Sequence, residues 1–220
     1  MATSIIELAE PFFLKVLGII NQPTPGQNSN LQSLQKQLSA DLQGIEQKVS
    51  SGSANVNNAE WQSLKKAMIY WADEVLTRHI EGWKDFVLEH EYYAERNRAW
   101  KFYVEGEQCI PTGSSEAAEL FYLALVLGFV GDLEGAFKIE LKTDLPGNRK
   151  DVAEARKHWA AQLQRRIRHE NARDIQGEPL EGNVEPMSGR RGLDIAMTVF
   201  SVVALVFLIL LGWMLKGGSS

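Results

Sequence analysis

The chain has 220 residues, a net charge of −5, six Trp, nine Phe and one cysteine. The acidic balance argues against general nucleic-acid binding. The lone Cys109 excludes an intramolecular disulfide and a cysteine zinc cluster, and it fits a reducing compartment.

Ser4 to Ile20 places Ile5, Ile6, Leu8, Phe12, Phe13, Val16, Leu17 and Ile20 on a helical stripe. Pro11 interrupts it, so a helix either starts near Glu10 or kinks at the proline. Glu7 and Glu10, with no basic face, fit a core helix better than an interfacial membrane helix, and they do not suit a signal peptide. Asn21 to Asn30 is a loop by composition. Leu31 to Val49 carries Leu34, Leu38, Leu42 and Ile45 at spacings of three and four among polar residues, an amphipathic surface helix. A Gly/Ser/Asn linker, Ser50 to Asn58, follows.

Asn58 is the expected cap of the next helix, whose apolar face is Trp61, Leu64, Met68, Trp71, Val75 and Leu76. Asp73 and Glu74 fall between those positions and are expected near the surface. Read from spacing alone they form a solvated pair, with Glu74 reaching Arg78 four residues on. A short helix is expected near Trp83 to Leu88 and a longer one near Ala94 to Glu107. Ser114 or Ser115 should cap Ala117 to Val130, which is apolar nearly all round and is expected to be the buried central helix. Phe137 to Leu141 reads as a short strand or turn. Asp151 to Ile167 is helical, with Ala155, Trp159 and Leu163 inward. Its end is basic (Arg165, Arg166, Arg168, His169, Arg173), which suits either anionic headgroups or a helix C-terminus.

Residues 174–192 read as a tether between a helical body, 1–173, and the apolar stretch 193–215. Past Asp194 that stretch has no charge and no polar face. About 20 such residues at ~1.5 Å each cross a hydrocarbon core, so a transmembrane helix is expected there. Trp213 and Lys216 suit one interface. Arg190 and Arg191 outnumber the single lysine, which predicts a cytoplasmic body and a short periplasmic tail, 216–220.

No catalytic, cofactor-binding or metal-binding set emerges. The four histidines do not form a paired-His zinc motif, and no nucleophile elbow or phosphate loop occurs.

The order of these features resembles the TssL/DotU family, the small inner-membrane subunit of bacterial type VI and type IVB secretion systems. The resemblance rests on Leu8 to Phe13, on AMIYWADEVL (67–76), on Trp83, Trp100 and Gly106-Glu107, and on ELFYLALVLGFVG (119–131). Asp132-Leu133-Glu134 departs from the basic or aromatic pair common there. The resemblance implies an all-α cytoplasmic domain of two small bundles plus the C-terminal transmembrane helix, and no catalysis. It implies an IcmF/TssM-type inner-membrane protein and cytoplasmic baseplate proteins as partners, and it leaves room for a homo-oligomer. It makes Asp73 and Glu74 candidate partner-binding residues. The rival reading is a tail-anchored helical adaptor or membrane-remodelling protein outside secretion.

Overall fold

Seven α-helices account for most of the computed structural model, which describes residues 3–22, 30–54 and 56–171, with side chains to 167. They are α1 (Ile5–Ile20), α2 (Leu31–Ser50), α3 (Asn58–His79), α4 (Leu88–Tyr93), α5 (Arg98–Cys109), α6 (Ser115–Val126) and α7 (Val152–Asn171). The described residues contain no strand beyond one isolated bridge, Thr3 to Ala54. The fold is all-α. The segments 174–192, 193–215 and 216–220, and residues Arg168, His169 and Arg173 as side chains, lie outside what is described. Among the described residues no helix is long and apolar enough to cross a membrane.

The sequence stripes become core faces. From α1, Ile5, Phe12, Phe13 and Val16 are buried; from α2, Leu34, Leu38, Leu42 and Ile45 are. Pro11 lies inside one continuous α1, which Ser4 caps by accepting from the Ile6 amide. Asn57, not Asn58, caps α3, accepting from Glu60 N at 2.9 Å. Ser114 caps α6, its Oγ accepting from Ala117 N at 3.3 Å.

The centre of the molecule is α3 rather than α6. Besides its predicted stripe, α3 buries Ala67, Ile69, Tyr70 and Ala72, because other helices surround it on nearly every side. One group, α1 and α2, packs along it together with a second, α5 and α6, and α7 closes over α6. Both groups feed one continuous core. By contrast α6 buries Ala117, Ala118, Leu120, Phe121 and Ala124 but leaves Val126 62% exposed, so it is covered on most sides, as expected, without being the central helix. Its apolar residues exceed the surface its neighbours can cover.

The segment 137–141 is not a strand. Gly135–Leu141 forms a π-helical turn, entered through Asp132 Oδ1, which accepts from Gly135 N at 2.8 Å. The acidic Asp132-Leu133-Glu134 step is thus a local cap, a buried apolar anchor and a partner for Lys138.

Carboxylates buried wholly or in part recur as helix caps supplied from a distance. A helix start leaves amides without intrahelical acceptors. Glu116 accepts from Ile5 N at the start of α1 (2.8 Å), and Glu60 Oε1 accepts from Ser114 N (2.7 Å) and Ser114 Oγ (2.6 Å) at the start of α6. The third and fourth cases build the candidate site.

Candidate partner-binding site

Asp73 and Glu74 are neighbours in sequence with opposite surroundings. Asp73 is fully buried, which corrects the expectation that both charges lie near the surface. The physical reason lies ten to sixteen residues downstream. Its Oδ1 accepts from the Trp83 indole at 3.1 Å and from Leu88 N at 2.9 Å, while its Oδ2 accepts from Glu89 N at 2.7 Å. The last two are the first amides of α4, so Asp73 is that helix's cap in place of Val87, which has no capping side chain. Burial pushes its carboxyl up to about 6, opposed by the three donors and by Arg98.

Glu89 repeats the device one step on. It is also buried, and its Oε1 accepts from the Asn97 amide at the start of α5. Its Oε2 has Arg98 at 3.6 Å and no hydrogen-bond donor. Burial raises this carboxyl as well.

Glu74 is partly buried beside two arginines, its side chain 16% exposed. It pairs with Arg78, as its i, i+4 spacing predicts, and lies 3.5 Å from Arg98 Nε. Arg78 in turn donates to the Gly128 carbonyl at 2.9 Å. The helix carrying the acid pair is therefore tied to the Leu127-Gly128-Phe129-Val130-Gly131 loop.

That loop is held at every residue. The Trp71 indole donates to Leu127 O at 3.2 Å, Phe129 stacks on Phe102 with centroids 3.9 Å apart, and Tyr103 donates to Val130 O at 2.7 Å. Gly131 has φ +52, and a Cβ there would run into the Ala99 carbonyl oxygen. Gly128 has φ +102 with open space around it. Val126, Gly128 and Val130 are exposed, so the rim beside Glu74 and Arg78 presents two valines around a bare backbone.

The Gly106-Glu107 step also has a physical reason. A Cβ on Gly106 would meet the Trp159 ring at 2.8 Å, and Glu107 Oε1 accepts from the Trp159 indole at 2.6 Å. The two residues let α5 and α7 close around that tryptophan. From the basic end of α7, Arg166 donates to the Gly113 carbonyl at 2.7 Å and so acts within the fold.

The sequence points to Glu74, but it extends the helix through Val130 where α6 ends at Val126, and it does not signal Arg98, Glu89 or the link from Arg78 to Gly128. Only the Glu74–Arg78 spacing signalled any of that network. The arrangement offers fixed charges and an apolar rim; among the described residues no group of His, Cys, Asp and Glu could hold a metal ion.

Two solved structures share the fold. The chain matches the cytoplasmic domain of TssL from Acinetobacter baumannii with a TM-score of 0.59 at 20% identity, covering 76% of this chain and 99% of that one. It matches SciP/TssL of the type VI secretion system from enteroaggregative Escherichia coli 042 with a TM-score of 0.56 at 10% identity, covering 84% and 98%. No curated protein sequence matches the chain. The family model described as type VI secretion system protein DotU matches residues 4–215, nearly the whole length, and the chain therefore belongs to the DotU family of type VI secretion system components.

Proposed function

We propose that this chain is a tail-anchored inner-membrane subunit of a type VI secretion membrane complex. In this reading residues 193–215 span the bilayer, the helical body stands in the cytoplasm, and the protein links an IcmF/TssM-type membrane protein to cytoplasmic baseplate components without catalysing a reaction. The observation that carries the reading is the extent of the family match, which runs through the helical body and on through the apolar stretch. The body supports it by offering a fixed surface of paired charges and exposed valines.

Within that role the acid pair divides its work. Glu74, with Arg78, Arg98 and the valine rim, meets a partner; Asp73 shapes the surface from behind by fixing the segment that carries Glu89. A basic partner group would compete with Arg78 for Glu74 and free the Arg78–Gly128 contact.

Protease added outside intact spheroplasts should spare the helical body, and purification of the full chain in mild detergent should bring down a large IcmF-like protein. Digestion without lysis would overturn the orientation. Recovery of the chain alone would favour an adaptor outside secretion.

A further inference from the structure

The segment between α3 and α5 has a construction unlike the rest of the body. It enters through Gly82 at φ +84 and leaves through Ala94 at φ +53, an alanine in the left-handed region that L side chains rarely adopt. Between them lie only a three-residue 3-10 turn, Trp83–Asp85, and the six-residue α4. Helices this short do not sustain themselves. The Leu88 and Glu89 amides go to Asp73 on α3 rather than to the segment's own backbone, and Asn97 N goes to Glu89. The segment's own Trp83, Val87 and Leu88 are buried against the body, and Glu91 and Tyr92 tie its end to Ser39 on α2.

We propose that Gly82–Ala94 is a strap that opens and closes as one unit over α3, hinged at its two left-handed residues and latched by Asp73 and Glu89. Opening would break both sets of carboxylate contacts together, because Glu89 lies on the strap while Asp73 lies under it. It would also bring Asp73 to solvent beside Glu74 and free Glu89, so two carboxylates hidden when closed would be exposed when open. The inference goes beyond the complex-subunit reading and does not depend on it.

The latch has a defined pH sense. Asp73 faces Glu89 from α4 and Arg98 from α5; Glu74 is its charged neighbour on α3, and the 3-10 turn contributes only the neutral Trp83 indole. Tyr70 and Tyr93, nearby, are pushed further up by burial and stay neutral. A carboxyl raised from 3.8 to about 6 when closed binds its proton more tightly closed than open. Closure is therefore favoured below the solvent-exposed value and weakened as pH rises through about 6. Glu89, also raised by burial, acts in the same direction.

Hydrogen exchange read by mass spectrometry on the full chain in detergent tests this. After correction for intrinsic exchange, strap amides should share one opening rate faster than that of α3, and the open population should rise about tenfold from about pH 5 to about pH 8. Asp73→Asn should flatten most of that dependence, and Glu89→Gln part of it. Strap amides that exchange only with α3, or an open population that is constant or falls with pH, would overturn the proposal. If Asp73→Asn does not fold, the wild-type profile and Glu89→Gln still decide it.

Discussion

Helices α3 and α6 invert what their compositions suggest. The sequence of α6 is nearly all apolar, yet its end is exposed at Val126; α3 carries Glu60, Lys65 and Asp73, yet all three are buried. Position among neighbours decides burial, and composition alone does not. The polar groups of α3 tolerate burial because each has partners: Glu60 holds Ser114, Lys65 pairs with Glu46 at 2.8 Å, and Asp73 holds three donors. The exposed Val126 on α6 costs little, since single apolar residues on a surface are ordinary.

The largest effect should come from breaking α3. Asp73→Lys puts an ammonium against three donors in a buried space and should cost about 5 kcal/mol or more. For a chain this size that lowers the melting midpoint by about 10 °C or more, read by circular dichroism. The same helix should lose less to Glu74→Lys, about 2 kcal/mol, because Glu74 reaches the surface, although the lysine would face Arg78 and Arg98.

Two substitutions two residues apart sharpen the contrast within α6. Ala124→Asp, at a fully buried site, should cost on the order of 4 kcal/mol, whereas Val126→Asp should stay within about 0.5 kcal/mol. Equal effects in thermal melts would mean that α6 is enclosed after all.

A smaller pair lies in the loop that follows. Gly131→Ala meets both a left-handed backbone and the Ala99 oxygen, and should cost about 2–3 kcal/mol. Gly128→Ala meets only the backbone preference, about 1 kcal/mol. Denaturant midpoints would rank the two.

Periodicity made most of the fold legible. The stripes of α1, α2 and α7 reappear as buried faces because each of these helices packs on one side only. The stripe of α3 was too narrow, since a helix surrounded by others buries small residues such as Ala67 and Ala72 that carry no pattern. The π-turn at 135–141 has no sequence period to read. Asp73 was misplaced because its donors come from residues 83–89, where two short elements leave no helical repeat. The Glu74–Arg78 pair is legible because both residues lie on one helix, at a spacing fixed by helix geometry.

The central claim is that Glu74 belongs to a partner-binding surface while Asp73 belongs to the frame behind it. The most direct measurement is quantitative mass spectrometry of proteins that co-purify with full-length wild type and with Glu74→Lys from solubilised membranes. The Glu74→Lys protein should stay folded, its melting midpoint lowered by at most about 8 °C, and should retain the IcmF-like membrane protein while losing cytoplasmic baseplate components. Recovery of those components at wild-type levels by a folded Glu74→Lys protein would contradict it.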